Sequence, residues 1–175
     1  MDLKATLTFD KLPKTLDEMK ALPGDVASLK DPYAVTALCV LAYEVYHTDP
    51  DASIEMIKFL RGPREFSAYD AQFTKDRFPK GSAQSEYLMR SYFEGATPDN
   101  NYTPAQPCTI KLYENPYSRD QFAEGYLKVF LKSGGADTER YITLRTKAST
   151  GEWFVWNESG LLVGIKTAKA DDPWA

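Results

Sequence analysis

The chain has 175 residues, 43% of them hydrophobic and 26% charged, with a net charge of −4. That composition excludes a disordered chain and suits one domain with a single core, burying roughly 70% of its unfolded surface. The acidic excess falls within residues 1–107 and residues 108–175 are balanced, so neither half has the basic character of a duplex-DNA binder. The N-terminus MDLKATLTFDKL carries no apolar run of the signal-peptide kind, and no stretch is long enough to span a bilayer. The expected setting is therefore a reducing, cytoplasmic one. The two cysteines, Cys39 and Cys108, do not suggest a disulfide framework.

In chain order, Leu3–Phe9 alternates weakly and suits a short strand or an ordered arm. Thr15-Leu16-Asp17-Glu18 reads as a capping box opening a short helix, about Leu16–Leu22, that stops at Pro23-Gly24. Asp31-Pro32 opens the next helix, Asp31 as N-cap and Pro32 at the first position, where no N–H is needed. This helix, Pro32–Tyr46, has no charge before Glu44 and is apolar all round, so it must be buried as a central pillar. Asp49-Pro50 repeats the same start for a helix to about Leu60, halted by Gly62-Pro63. Ser67–Asp70 caps a helix to about Arg77, on which Tyr69 and Phe73 sit at i,i+4. Another helical turn is expected near Ser85–Met89.

Arg90–Pro107 carries three prolines, a glycine and three aromatics. A connection that long within a domain is functional or disordered, and its aromatics predict order. From Cys108 the period becomes two. Thr109–Tyr113, Tyr126–Lys132, Arg140–Lys147, Glu152–Trp156 and Leu161–Ile165 read as five strands joined by short turns, an antiparallel meander. The fold class is thus α+β. About four helices around the buried central one occupy residues 1–107. The sheet occupies 108–166 and a tail 167–175, all in a single domain. The aliphatic face of the sheet (Ile110, Leu112, Leu127, Val129, Leu131, Ile142, Leu144) is the natural partner of the pillar.

No motif announces catalysis. His47 is the only histidine and follows the pillar's last turn, where an imidazolium would interact well with the helix dipole. Asp49, Asp51 and Ser53 imitate half a calcium loop, but Ile54 stands where Gly is required and Leu60 where Glu is. No metal and no cofactor is expected. Gly134-Gly135 reads as a hairpin turn, with an anion nest the lesser alternative. The site-like feature is the outer face of the meander. There Lys111, Tyr113, Tyr126, Lys128, Phe130, Lys132, Tyr141 and Arg145 interleave bases with aromatics, a pattern that suits protein contact or base stacking. Trp153 and Trp156 are separated by an odd number and face opposite ways.

Several stretches occur together: Asp31-Pro32 with the apolar helix, Asp51–Met56, Phe59-Leu60-Arg61-Gly62-Pro63, Arg90–Pro98, Tyr102-Thr103-Pro104, Glu114–Tyr117, Ser133–Asp137, Trp153-Phe154-Val155-Trp156 and Asp172-Pro173-Trp174-Ala175. In this combination the chain resembles, from about Thr15 onward, a bacterial family of unknown function found mainly in Clostridia-type bacteria. The resemblance implies a small cytoplasmic domain and carries over no catalytic residue.

The leading expectation is a non-catalytic binding or protein-interaction module. Its contact residues would be Arg90, Tyr92, Tyr102, Lys111, Tyr113, Lys128, Arg145, Trp156 and Trp174. Its partner would be another protein or a second copy of the chain, with nucleic acid disfavoured and no membrane. The alternatives are a small enzyme with a cleft between helices and sheet, using Glu114, Asp120, Arg90 or a tyrosine, and a single-stranded nucleic-acid binder on the outer face.

Overall fold

A computed structural model describes all 175 residues, Met1–Ala175. The elements in chain order are β1 (Asp2–Phe9), α1 (Leu16–Lys20), α2 (Pro32–Glu44), α3 (Pro50–Arg61), α4 (Ala68–Arg77), α5 (Ala83–Tyr87), β2 (Cys108–Glu114), β3 (Tyr126–Leu131), β4 (Arg140–Lys147) and β5 (Glu152–Asn157). The strands form one antiparallel sheet in the order β1-β2-β3-β4-β5. The architecture is α+β, with helices before most of the sheet.

The pillar α2 is buried at every position from Ala34 to Tyr43. Asp31 accepts the Tyr33 amide at 2.9 Å, and Pro32 occupies the first turn. The polar group inside the pillar is satisfied locally, the Thr36 hydroxyl donating to the Pro32 carbonyl at 2.9 Å. Ser53 ties α3 to α2 by donating to the Ala42 carbonyl at 2.7 Å. The helix ends at Glu44, short of Tyr46; Tyr43 stacks on Phe78 at 6.1 Å, and Tyr46 beyond the helix end meets the same ring tilted at 5.3 Å. The Ser67–Asp70 capping box forms in both directions. In α1, Thr15 takes the Glu18 amide, but Glu18 reaches one residue further back, to the Lys14 amide.

The aliphatic sheet face is the partner of the pillar: α2 packs on β1, β2, β3 and β5, and Ile110, Leu112, Leu127, Val129, Leu131, Ile142 and Leu144 are no more than 1% exposed. Each such side chain contributes about 1.5–3 kcal/mol on burial, so this seam dominates the fold's stability.

Two expectations are corrected. The fifth strand is the N-terminal segment, which pairs with β2 from Asp2↔Glu114 to Phe9↔Cys108. Leu161–Ile165 is not a strand. It holds part of a 3-10 turn, Ser159–Leu162, and its carbonyls are taken by side chains. Tyr92 donates to Leu161 O at 2.7 Å, Arg140 to Val163 O and Gly164 O at 2.6 Å each, and Gln84 to Ile165 O at 3.0 Å. With those acceptors filled, the segment needs no ladder partner. Its apolar residues reflect burial of the adjacent Leu161 and Leu162 in the core.

That connection is ordered because it is internal. Tyr102 is fully buried, stacks on Tyr87 at 4.6 Å and donates to Lys166 O at 2.5 Å. Gly134 has its place for the same reason. A Cβ there would fall 1.8 Å from the Ala96 carbonyl, so only glycine lets the β3–β4 turn press against the connection.

Candidate functional site

Strands β2 to β5 present their second face away from the pillar, and on it cations sit over rings. Lys132 lies 4.8 Å from the Tyr113 ring centroid and Lys128 5.1 Å from Tyr141. Arg145 lies 5.3 Å from Tyr126 and 4.7 Å from Trp156. The rings meet one another as well, Phe130 with Tyr141 at 5.2 Å and Tyr126 with Trp156 at 5.8 Å. Antiparallel register explains the pattern: Tyr126 stands opposite Arg145 and Phe130 opposite Tyr141, so cross-strand neighbours share a face. The β4–β5 register slips between Thr143 and Leu144, leaving Trp156 as the extra residue. This bulge aims its ring onto the outer face beside Arg145. Trp153 goes the other way, half-buried against Phe122 at 5.9 Å.

Of the cations on this face, Lys111 alone has a carboxylate partner, Glu94 at 2.7 Å. Lys128, Lys132 and Arg145 have none within ion-pair distance. Each is held by an aromatic surface at a worth of about 0.5–1 kcal/mol, which orders the charge without neutralising it.

At its β5 end the face runs into a cleft of about 640 Å³. One wall is the end of α3 and the residues after it (Arg61, Pro63, Arg64). A second is the turn Phe122–Gly125. The floor comes from Arg145–Ala148 on β4 and from Phe154–Trp156 on β5. Gly62 shapes it: its φ is +56°, and a Cβ would lie 2.3 Å from the Phe154 ring, so the ring rests on bare backbone. Behind the cleft lies a buried ion network. Glu158 accepts from Arg61, from Arg64 at 2.9 Å and from the Tyr43 hydroxyl at 3.2 Å, while Arg61 also meets Asp70 at 3.0 Å. Burial alone would push the Arg61 guanidinium down, but the Glu158 charge overcomes this and holds it up. Burial also pushes the Tyr43 hydroxyl well up, and the Glu158 charge adds to it, so Tyr43 remains a donor.

The nine expected contact residues separate. Lys111, Tyr113, Lys128, Arg145 and Trp156 share the outer face. Tyr92 and Tyr102 do not reach a surface, being 3% and 0% exposed, with hydroxyls spent on the C-terminal segment. As contact residues they are corrected to internal clamps. Arg90 is engaged elsewhere, donating to Glu44 at 3.0 Å. Trp174 is 93% exposed but lies on the tail held by Ala170 and Asn101, outside the cleft lining.

The residues of the enzyme alternative do not converge. Glu114 is held by Tyr33 at 2.6 Å and by Arg119 at 3.0 Å through both oxygens. Burial pushes its carboxyl up, yet the Arg119 and Tyr33 hydrogen bonds leave it lowered overall, the reverse of a general acid. Asp120 lines a separate small cavity that includes neither Glu114 nor Arg90. His47 follows the end of α2, where burial and the Arg90 guanidinium push its imidazole down. Asp49 caps α3 by accepting the Ala52 amide at 3.1 Å.

Sequence reasoning missed Arg61, Arg64, Lys147, Phe122 and Phe154. The available signal was the Arg-Gly-Pro-Arg run, where two arginines bracket a helix stop.

A family model described as Domain of unknown function (DUF6935) matches residues 11–169. The chain belongs to that family. No curated protein and no solved structure matches it. The DUF6935 span contains every residue of the cleft and of the outer face, whereas β1 and Trp174 fall outside it. No helix is long and apolar enough to cross a membrane.

Proposed function

We propose that this chain is a non-catalytic interaction module whose contact surface is the outer face of the sheet, and that its partner is a protein presenting acidic side chains. One observation carries the reading: Lys128, Lys132 and Arg145 are pinned on aromatic rings and have no carboxylate of their own. Aromatic residues and arginine are enriched at contact centres. Tyr141 and Trp156 are 43% and 37% exposed, which leaves ring area to bury. The acidic excess in residues 1–107 repels the continuous charge of a nucleic-acid backbone, so attraction for an acidic partner is confined to the outer face itself. A reducing, cytoplasmic setting suits the module, since both thiols are buried and unpaired.

The test uses deca-glutamate as the acidic probe and a single-stranded oligonucleotide of equal charge as the competitor class. The intact chain should bind the peptide at low salt and lose it as salt rises. The double variant Lys128→Glu, Arg145→Glu should bind at least tenfold more weakly while remaining folded, its melting temperature lowered by only the few degrees that losing these cation–ring contacts costs. Equal binding by the variant, or tighter binding of the oligonucleotide than of the peptide, would overturn the reading.

A further inference from the structure

We infer that the cleft between the α3 stop, the Phe122–Gly125 turn and the β4–β5 floor is a binding site for a small planar anion, an aromatic or heteroaromatic ring carrying one carboxylate or phosphate group. This does not depend on the protein partner, although Arg145 and Trp156 border both surfaces.

Three features assemble the site. The first is size: about 640 Å³ lies within the range of roughly 300–1,000 Å³ in which small molecules are held. The second is a set of fixed rings. Phe154 lies on the backbone of Gly62, where no side chain could fit. Phe122 is clamped between the Arg119 guanidinium at 4.6 Å and Trp153 at 5.9 Å. Trp156 is backed by Arg145 and Tyr126. Rings already held in place lose little freedom when a ligand ring stacks on them, so the stacking is retained as affinity.

The third feature is charge. Arg61 and Arg64 are neutralised behind the wall by Glu158 and Asp70. Arg145 and Lys147, two residues apart on β4 and so on one side of the strand, have no carboxylate within ion-pair distance. Glu124 is the one carboxylate on the lining and is likewise unpaired. The site therefore offers two free cations against one free anion. That balance suits a single anionic group and does not suit a polyphosphate. Arg145 is the better anchor, because its planar fork is oriented by two rings and matches the paired oxygens of a carboxylate or phosphate.

The probes are indole-3-carboxylate and phenyl phosphate, with indole, acetate and inorganic phosphate as half-ligands. Binding is followed by amide and indole chemical shifts in the intact chain. Each ring-plus-anion probe should bind at least tenfold tighter than its halves and should move Gly62, Gly125, Lys147 and the Trp156 indole together. Tighter binding of the carboxylate or of the phosphate then assigns the anion. Lys147→Glu should weaken the probes at least fivefold while leaving deca-glutamate binding on the outer face within twofold. Lys128→Glu should do the reverse, which separates failure here from failure of the contact face. No shift at the cleft amides with millimolar probe, or equal binding by the Lys147→Glu and Arg145→Ala variants, overturns the inference.

Discussion

Replacing Glu158 by alanine should destabilise the chain by about 3–5 kcal/mol, the cost of leaving a buried charge without its partner. Glu158 and Arg61 are 5% and 4% exposed, so water cannot replace the lost contact. Without Glu158, Arg61 keeps Asp70 at 3.0 Å and the Glu65 carbonyl at 3.3 Å, Arg64 loses its carboxylate, and the Tyr43 hydroxyl loses its acceptor inside the core. Against a total stability of about 5–15 kcal/mol the loss is large. The assay is urea unfolding followed by tryptophan fluorescence, in which the midpoint should fall with little change in slope. Glu158→Gln, which keeps an acceptor, should lose less. The exposed Lys111–Glu94 pair is the comparator, since Glu94→Ala should cost under about 1 kcal/mol. If Glu158→Ala costs no more than Glu94→Ala, the network behind the cleft does not have the energetic role derived for it.

Other outcomes follow from individual sites. Burial raises Glu44 from its ordinary value of 4.5 to about 7 despite the Arg90 ion pair. Its contribution is therefore full below pH 4.5 and is lost as pH rises through 7, on the order of 3 kcal/mol, and thermal melts of Glu44→Gln should lack that decline between pH 4.5 and 7. Asp70 and Glu114 act with the opposite sign, their lowered values removing stability as pH falls through the carboxylate range, so the melting temperature should peak between these windows. Gly134→Ala should destabilise by about 1–3 kcal/mol or more, because its Cβ would meet backbone and not a yielding side chain. Trp174→Ala should change stability by less than about 0.5 kcal/mol by the same melts.

The elements most legible in the sequence were those whose signals are local. An apolar helix with Asp-Pro at its start, a reciprocal Ser67–Asp70 cap and alternating strands each follow from residues a few positions apart. The outer face was legible because antiparallel pairing preserves alternation. The C-terminal Leu161–Ile165 segment misled because a short apolar run reports burial, whereas strand identity depends on where the backbone acceptors go, and distant Tyr92, Arg140 and Gln84 take them. Long-range bonds of this kind, Tyr92 to Leu161 O and Tyr102 to Lys166 O, turned both tyrosines from expected surface contacts into core residues. The cleft was invisible because it joins segments near residues 62, 123, 146 and 155 that no periodicity connects.

The central claim, that function resides on the sheet face opposite the pillar, is tested most directly by photo-crosslinking in living cells. A benzophenone amino acid is placed at Tyr141 on the outer face or at Tyr69 on α4, where the ring is 76% exposed. Discrete adducts should form from position 141, disappear with Lys128→Glu and Arg145→Glu, and be absent from position 69. An adduct at twice the chain mass would assign the face to self-association instead of an acidic partner. Equal labelling from both positions, or labelling from 141 that ignores the charge reversals, would contradict the account.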